Sequence, residues 1–331
     1  PTSCGRRMGP WLTYGSLVNR ATIALYVGAA QRRAYGEFVS EAGVTMLGVV
    51  PKLVRGWKAE RTMEGINWDR IRRFSSTGET SSPEEMLYLM ALAGYKPVIE
   101  YCGGTEIGGG YVTGTMVQPC APSCFTTPAM GLDFVILDDG HPADRGEVFL
   151  IPPSIGLSND LLNYDHGKEY YAGLPSGPRG ETLRRHGDQL ERLGGGYYRH
   201  HGRIDDMVNI FGIKSSAEEI RSVLTHELVY DAKPVAVDVG DTGRHSLVIY
   251  AVPRDVRLLG SAEVRDRLRR DFQRQIKERL NPLLAHVHDV VLVAELPQAG
   301  PGKTKTMTAL RQDYESRQAS QRSANAGRDS G

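Results

Sequence analysis

Residues 96–110 read KPVIEYCGGTEIGGG, a short apolar run that leads into five glycines around a Thr-Glu pair. Glycine reaches positive φ without a steric penalty, so a glycine-rich loop after a strand can be an ordinary turn. The same kind of loop can bring backbone N–H groups close to a phosphate, with the acid holding a metal ion. Taken alone the stretch predicts a turn, because short motifs are weak evidence, and the rest of the chain has to decide.

The segments before this stretch alternate between two kinds of pattern. Apolar runs at 21–28 (ATIALYVG) and 44–50 (VTMLGVV) predict strands, and AYGEFVSEAG between them predicts a helix. Residues 83–94 open with Pro and two acids and close on Gly, as a helix does. The alternation predicts an α/β sheet, with the glycine-rich stretch at the carboxyl end of a strand, where such sheets bind ligands.

The pattern changes twice further along the chain. Residues 131–151 contain two β-rich runs around an Asp-Gly turn, which predicts a hairpin. Beyond residue 204, two helical patterns alternate with three apolar runs and predict a small α+β domain. We therefore predict a large α/β unit with a β subdomain over residues 1–204, a small unit over 205–314 and a disordered polar tail over 315–331.

Composition excludes several classes of partner. The 331 residues include 40 Lys and Arg against 39 Asp and Glu, and the net charge of +1 favours neither nucleic acid nor an anionic membrane. No apolar run is long enough to span a bilayer. We expect an intracellular chain, cytoplasmic or peroxisomal, with no clear targeting signal and with small molecules as partners; the oligomeric state stays open.

The four cysteines are too sparse for a disulfide scaffold and fit a reducing compartment. Cys120 and Cys124 have no second pair and no nearby histidine in the sequence, so zinc is not expected there. They are interpreted as buried thiols.

Five segments combine glycine with a charged or polar residue, and their order is more informative than any one of them. They are SSTGE at 75–79, GGTE at 103–106, RHGD at 185–188, GRIDDMVNIFG at 202–212 and PQAGPGK at 297–303. In this order they resemble the AMP-forming acyl-activating enzymes, the superfamily of acyl-CoA synthetases. The resemblance covers about residues 8–311 and is strongest to plant-type acyl-activating enzymes related to acetyl-CoA synthetase.

The resemblance implies a fold and a reaction. The fold is the C-terminal part of a large adenylate-forming domain followed by a small mobile lid. The reaction joins a carboxylic acid to ATP, giving an acyl-adenylate and pyrophosphate, and then transfers the acyl group to a thiol. The implied cofactors are ATP or AMP, Mg²⁺ and CoA.

In the large unit, the resemblance assigns a role to each matching residue of the glycine-rich loop. Thr105 matches the residue that hydrogen-bonds the α-phosphate, and Glu106 matches the ligand of Mg²⁺, a hard cation that a carboxylate suits. Gly103 and Gly104 belong to the same nucleotide-binding loop. Gly103 stands where acetate-selective relatives carry a bulky Trp, so we expect an acyl pocket that accepts longer acids.

Three further positions of the large unit match the nucleotide site. Gly78, Glu79 and Thr80 match the segment that lies against adenine, although SSTGE is also typical of a helix N-cap. Asp188 matches the residue that binds the two ribose hydroxyls, since one carboxylate can accept two hydrogen bonds. Arg203 matches a residue that contacts ribose and phosphate.

In the small unit, the resemblance assigns a hinge and two basic residues. Asp205 matches the hinge about which the lid rotates between the two half-reactions. Lys214 matches a basic position facing the nucleotide and the thiol. Lys303 matches the catalytic lysine that neutralises developing charge, and Lys305 stays a candidate because the spacing after Lys303 is one residue longer than usual.

The chain departs from the family's sequence pattern in two places, and the first departure bears on whether the chain is active. The chain contains no Ser/Thr/Gly-rich loop with Lys for the β- and γ-phosphates, so we expect a truncated chain, or alternatively a non-catalytic remnant that binds nucleotide or a partner. Arg20 stands where a glycine is usual, which the sequence does not explain.

A P-loop at AGPGKT (299–304) is rejected, because Pro297 occupies the position where that motif needs its first glycine.

Overall fold

The computed structural model describes residues 8–210, 213–238, 245–297 and 306–326. The chain divides into two compact units, Pro1–His201 and Gly202–Gly331. The boundary predicted after residue 204 lies close to this division. No helix within the described ranges has the length and apolar character needed to cross a bilayer.

A mixed sheet forms the first half of the first unit. Its strands follow chain order, with parallel pairing among the first three and antiparallel pairing after them. They are β1 (Met46–Val49), β2 (Arg73–Ser76), β3 (Val98–Gly104), β4 (Gly109–Thr113) and β5 (Thr127–Pro128). The helices are α1 (Met8–Val18), α2 (Arg33–Glu41), α3 (Pro51–Glu60) and α4 (Pro83–Leu92). Strands and helices alternate from α2 to β3, so the predicted α/β alternation is confirmed.

Helix α4 illustrates why these segments fold as they do. Ser82 is its N-cap and accepts a hydrogen bond from the backbone N–H of Glu85 at 3.2 Å, with Pro83 in the first turn. Met86 and Leu89 are fully buried against the sheet. The cap for which SSTGE is typical is therefore made by a later serine, and Gly78 and Glu79 stay outside the helix.

A second, antiparallel sheet completes the first unit. Its strand order is β10-β9-β8-β6-β7, with the short helix α5 (His166–Tyr170) between β8 and β9. The strands are β6 (Asp133–Asp138), β7 (His141–Pro142), β8 (Arg145–Ile151), β9 (Arg184–Arg192) and β10 (Tyr198–Arg203). Asp139 and Gly140 connect β6 to β7 with φ angles of 47° and 81°, as a two-residue hairpin turn requires. The predicted hairpin is confirmed.

The strand predicted at 21–28 is absent, and this prediction was wrong. The segment has no regular secondary structure, and Leu25 and Val27 are 82% and 100% exposed. Tyr26 packs its ring against Tyr35 and Phe38 of α2, each at a centroid distance of 5.1 Å. An apolar run without a neighbouring strand cannot satisfy its backbone groups in a sheet, and here one aromatic side chain anchors it instead.

The C-terminal end of α1 explains the unusual position of Arg20. The N–H of Ala21 donates to Ser16 O at 2.8 Å and that of Arg20 to Leu17 O at 3.1 Å, the two hydrogen bonds of a Schellman motif. Arg20 is the residue of this motif that adopts the left-handed conformation, with φ 54°. Glycine is favoured there because it has no Cβ to clash with the backbone.

Replacing Arg20 by glycine is therefore expected to stabilise the end of α1. Relief of about 1 kcal/mol should slow hydrogen exchange of the α1 amides about fivefold, which mass spectrometry can measure. Arg20→Ala removes the same charge but keeps the Cβ, so it is the matched control. Equal exchange rates in the two variants would contradict this account of the helix end.

The second unit contains a three-stranded sheet flanked by helices. Its strand order is β13-β14-β15, antiparallel and then parallel, and a separate antiparallel hairpin pairs β11 with β12. The strands are β11 (Met207–Ile210), β12 (Ile213–Ser216), β13 (Val229–Asp238), β14 (His245–Pro253) and β15 (Val287–Leu292). The helices are α6 (Ala217–Val223), α7 (Ala262–Arg279) and α8 (Thr306–Ala326). The predicted α+β class is confirmed for this unit.

The structure also differs from the prediction at the chain end, where disorder was expected from Glu315. Helix α8 instead continues to Ala326. Leu310 and Tyr314 are buried, and the Tyr250 hydroxyl lies 2.8 Å from Asp313 Oδ2. The segment from Thr306 to Ala326 contains no Pro or Gly. A polar composition misled the prediction, because a helix needs only one apolar face to dock.

Candidate functional site

The glycine-rich loop is a hairpin whose strands approach unusually closely. Strand β3 ends at Gly104, Thr105–Ile107 form one 3₁₀ turn, and β4 returns from Gly109. A Cβ on Gly103 would overlap the carbonyl oxygen of Gly109, and one on Gly104 would overlap the Glu106 carboxylate. The close approach of the backbone therefore explains Gly103, whereas Gly104 faces only the end of a flexible side chain. The close approach does not explain the acid, which folds back over the loop.

The segment after β2 has a structural role of its own. Gly78 has φ +104°, a conformation that favours glycine. Glu79 Oε1 accepts a hydrogen bond at 2.9 Å from the backbone N–H of Lys52, in the first turn of α3. Glu79, which lies outside the helix, thus provides an acceptor for one of the N-terminal N–H groups of α3 that have no partner within the helix.

Asp188 lies at the centre of a polar cluster built from both sheets. Four groups surround its Oδ2 atom: His186 Nε2 at 3.0 Å, the Tyr111 hydroxyl at 3.2 Å, Cys102 Sγ at 3.3 Å and His200 Nε2 at 3.5 Å. Asp188 and His186 share a face of β9, because residues two apart in a strand point the same way. Asp188 is only 4% exposed.

The electrostatics of this cluster keep Asp188 ionised. Burial alone would raise the pKa of Asp188, but the adjacent imidazoles of His186 and His200 hold that pKa well below its usual range. Burial, together with the neighbouring Cys102 and Asp188, raises the pKa of Tyr111 well above its usual range. Tyr111 is therefore a neutral donor, and Asp188 is an anion at neutral pH.

A continuous series of contacts joins three of the predicted site segments. Thr80 Oγ1 lies 2.8 Å from His200 Nδ1, and the other ring nitrogen of His200 faces Asp188. His186 contacts Asp188 on one side and lies 3.9 Å from Glu106 Oε1 on the other. The structure thus brings Thr80, Asp188 and Glu106 together within the first unit.

The buried guanidinium of Arg184 supports the backbone of the glycine-rich loop. Arg184 is fully buried, its Nη2 lies 2.7 Å from Ser158 Oγ and 3.5 Å from Glu106 O, and its charge lies 3.9 Å above the Tyr170 ring. The N–H of Ser158 also donates to Glu106 O at 2.8 Å. Arg184 and Ser158 together hold the backbone of Glu106.

The remaining predicted residues are not joined to this cluster by the described contacts. Thr105 is exposed on the loop, and Arg203 is exposed at the end of β10. Asp205 lies in the turn Ile204–Asp206, and Lys214 lies in β12 opposite Asn209. Lys303 and its alternative Lys305 lie outside the described residues.

Sequence analysis missed four members of the cluster: Cys102, Tyr111, His186 and His200. The signal was present for His186, which stands two residues before Asp188 and so shares its strand face. Cys102, Tyr111 and His200 come from other strands, and no local pattern predicts that they converge. Of the two cysteines interpreted as buried thiols, Cys124 is buried and Cys120 is partly exposed.

Comparison with known proteins finds relatives among acyl-activating enzymes. The chain is 42% identical over 311 residues to a probable acyl-activating enzyme 17, peroxisomal, of Arabidopsis thaliana, covering 92% of this chain and 43% of that protein. It is also 42% identical over 322 residues to hexanoyl-CoA synthase of Cannabis sativa, covering 95% and 44%. The chain therefore spans less than half the length of these curated relatives. No protein-family model matches it.

Solved structures agree on the fold. Acetoacetyl-CoA synthetase from Streptomyces lividans superposes with a TM-score of 0.74 at 20% identity, covering 92% of this chain and 47% of that one. O-succinylbenzoate coenzyme A synthetase from Bacillus subtilis, in complex with ATP and magnesium ion, superposes with a TM-score of 0.68 at 17% identity, covering 93% and 59%. The predicted fold class is confirmed: the chain has the mixed α/β fold seen in the C-terminal part of adenylate-forming enzymes.

Proposed function

Because this chain is a relative of the AMP-forming acyl-activating enzymes, we propose that it supplies the nucleotide and acyl face of an acid-thiol ligase. The observation that carries the proposal is the contact series from Thr80 through His200, Asp188 and His186 to Glu106. Segments proposed to meet adenine, ribose and Mg²⁺ are adjacent in that series, in the order in which those groups follow one another in a nucleotide.

Asp188 is the proposed ribose ligand. An ionised carboxylate accepts hydrogen bonds from hydroxyl groups more strongly than a neutral group does, and the low pKa of Asp188 keeps it ionised. Its side chain is 6% exposed and that of His200 12% exposed. Ribose binding therefore requires the outer side chains, His200 first, to shift away from the carboxylate.

Glu106 is the proposed ligand of Mg²⁺. Its carboxylate is a hard oxygen donor with a 20% exposed side chain, which fits a cation that keeps several waters and binds through one or two carboxylates and phosphate. When bound, the metal would neutralise phosphate charge. The residues of this chain provide the rest: Arg184 and Ser158 fix the Glu106 backbone, and Thr105 presents a hydroxyl toward the α-phosphate.

The proposed chemistry has two steps. A carboxylate oxygen attacks the α-phosphorus of ATP and pyrophosphate leaves; a thiolate sulfur, as of CoA, then attacks the acyl carbon and AMP leaves. Lys303, or Lys305, is proposed to neutralise the oxygens that meet in the first step. Arg203 and Lys214 are proposed to contact the nucleotide, with Asp205 as the hinge of a lid that begins near residue 205.

The proposed substrate is an acid longer than acetate. Gly103 carries no side chain to close the acyl pocket, and one relative is named for hexanoyl-CoA. The backbone also requires glycine at this position, since a Cβ would overlap Gly109 O. Gly103 is therefore proposed to have two roles: it leaves the acyl pocket open, and it allows the close approach of the hairpin strands.

The half-reactions test this function separately. The full chain is incubated with synthetic hexanoyl-adenylate and CoA, and hexanoyl-CoA is measured; a second reaction contains hexanoate, ATP and Mg²⁺ instead. We expect turnover of the adenylate, and Lys303→Ala should spare that step while abolishing any adenylation. AMP binding without either turnover would favour the non-catalytic alternative, and neither binding nor turnover would overturn the proposal.

A further inference from the structure

More groups surround Asp188 Oδ2 than can hydrogen-bond to it. A carboxylate oxygen offers two lone pairs, yet two imidazole nitrogens, a thiol and a phenol all lie 3.0–3.5 Å from this one atom. Within the described residues, His186 Nε2 and His200 Nε2 are buried and lie beside the Asp188 carboxylate, but neither has the geometry of a good hydrogen bond. A buried polar atom that makes no well-formed hydrogen bond requires an explanation, and a bound ion is one.

The orientation of His200 points to the same conclusion. Thr80 Oγ1 lies 2.8 Å from its Nδ1, so an Nδ1–H can donate to the Thr80 hydroxyl. In that tautomer the lone pair of Nε2, 3.5 Å from Asp188 Oδ2, is available to a metal ion. A hydrogen bond that fixes the second nitrogen of a histidine is the usual support of a metal ligand.

We propose that Cys102, Asp188 and His200 form a binding site for Zn²⁺ that excludes the nucleotide. Their ligand atoms, one sulfur, one oxygen and one nitrogen, all lie within 4.8 Å of one another. Zinc bonds of about 2.0–2.3 Å in a tetrahedron place ligand atoms about 3.3–3.7 Å apart, so small side-chain shifts complete the geometry. Three protein ligands leave a fourth position for water.

The burial of the three ligands allows exchange with solvent. Cys102 and His200 are partly exposed and Asp188 is buried, so one side of the site opens outward. This arrangement suits a site that a metal ion can enter and leave. The donors come from β3, β9 and β10, which explains why the cysteine spacing in the sequence did not predict it.

The exclusion of nucleotide rests on the proposed function. If Asp188 binds the ribose hydroxyls, its carboxylate cannot serve Zn²⁺ at the same time. Mg²⁺ prefers oxygen ligands and does not compete for a thiolate. Zinc would thus switch the nucleotide site off, while magnesium would support it through Glu106.

Cobalt substitution tests the site on the full chain under reducing conditions, because Co²⁺ bound to a thiolate gives an ultraviolet charge-transfer absorption. We expect this absorption to saturate at one Co²⁺ per chain and to be displaced by Zn²⁺ but not by Mg²⁺. Cys102→Ala and His200→Gln should each weaken Co²⁺ binding more than tenfold. Cys120→Ala, whose thiol contacts Val98 O instead, is the matched control and should leave the absorption unchanged.

Two results would overturn the proposal. Absorption that survives Cys102→Ala, or is absent from the wild-type chain, would show that these residues do not bind the metal. In a second arm, AMP at saturating concentration should release the Co²⁺. Simultaneous binding of AMP and Co²⁺ would overturn the exclusion and show that the ribose lies elsewhere, whereas a chain that binds Co²⁺ but no AMP at all keeps the metal site and contradicts the proposed function.

Discussion

Asp188→Asn is expected to weaken AMP binding by about 100-fold, because each hydrogen bond from a ribose hydroxyl to a carboxylate contributes about 1.5–3 kcal/mol. Because its pKa is low, the Asp188 carboxylate is fully charged at neutral pH, and the substitution by asparagine removes that charge. Isothermal titration of the full chain with AMP measures the effect. Affinity that is unchanged in the variant would contradict the assignment of Asp188.

A matched variant separates this effect from a general change of charge. Asp138 is exposed at the end of β6, and Asp138→Asn removes the same charge from the same unit without touching the cluster. We expect AMP affinity to stay at the wild-type value. Circular dichroism of both variants checks that the loss in Asp188→Asn does not arise from unfolding, since the four groups around Asp188 lose the negative charge that they face.

The second large effect concerns Glu100, a buried acid on β3. Glu100 is 3% exposed, and burial raises its pKa to about 7. The folded state therefore binds a proton more tightly than the unfolded state. The stabilisation is fully present below the unfolded pKa of 4.5 and is lost as the pH rises through about 7.

Glu100→Gln is expected to remove this pH dependence, because glutamine keeps the shape of the protonated acid without its charge. Above pH 7 the variant should have a free energy of unfolding about 3 kcal/mol higher than the wild type, and the difference should vanish toward acid pH. Urea denaturation across this pH range gives the difference directly. Glu64→Gln is the control, since Glu64 is on the surface and hydrogen-bonds to Arg61, which lowers its pKa. A constant difference between Glu100→Gln and wild type at all pH values would contradict the account.

Local patterns predicted the elements whose cause is local. The hairpin at residues 139 and 140 follows from an Asp-Gly pair that tolerates positive φ. Helix α7 follows from an apolar stripe: Leu268, Phe272 and Ile276 are all fully buried, and Ser261 caps the first turn. In both cases the residues that determine the conformation lie within the element.

The predictions that failed did so because of interactions with residues outside the segment concerned. Residues 21–28 have the composition of a strand, but a strand needs a neighbour, and the segment packs through Tyr26 onto α2 instead. Helix α8 was missed because its stability comes from contacts such as that of Tyr250 with Asp313, which are distant in sequence. Composition alone carries no information about such partners.

The candidate site divides in the same way. Thr105, Glu106 and Asp188 were predicted from ordered motifs, whereas the imidazoles that set the charge of Asp188 were not. Thr80 and His200 lie 120 positions apart, and no local pattern links them. The sequence therefore supplies the residues proposed to meet the nucleotide, and the structure adds what controls the ionisation of Asp188.

A crystal structure of the full chain with AMP bound tests the central claim most directly. We expect both ribose hydroxyls within hydrogen-bond distance of the Asp188 carboxylate, the adenine against residues 78–80, and the phosphate beside Thr105. His200 should have moved away from Asp188 to admit the sugar. AMP bound elsewhere, with Asp188 still enclosed by Cys102, Tyr111 and His200, would contradict the account.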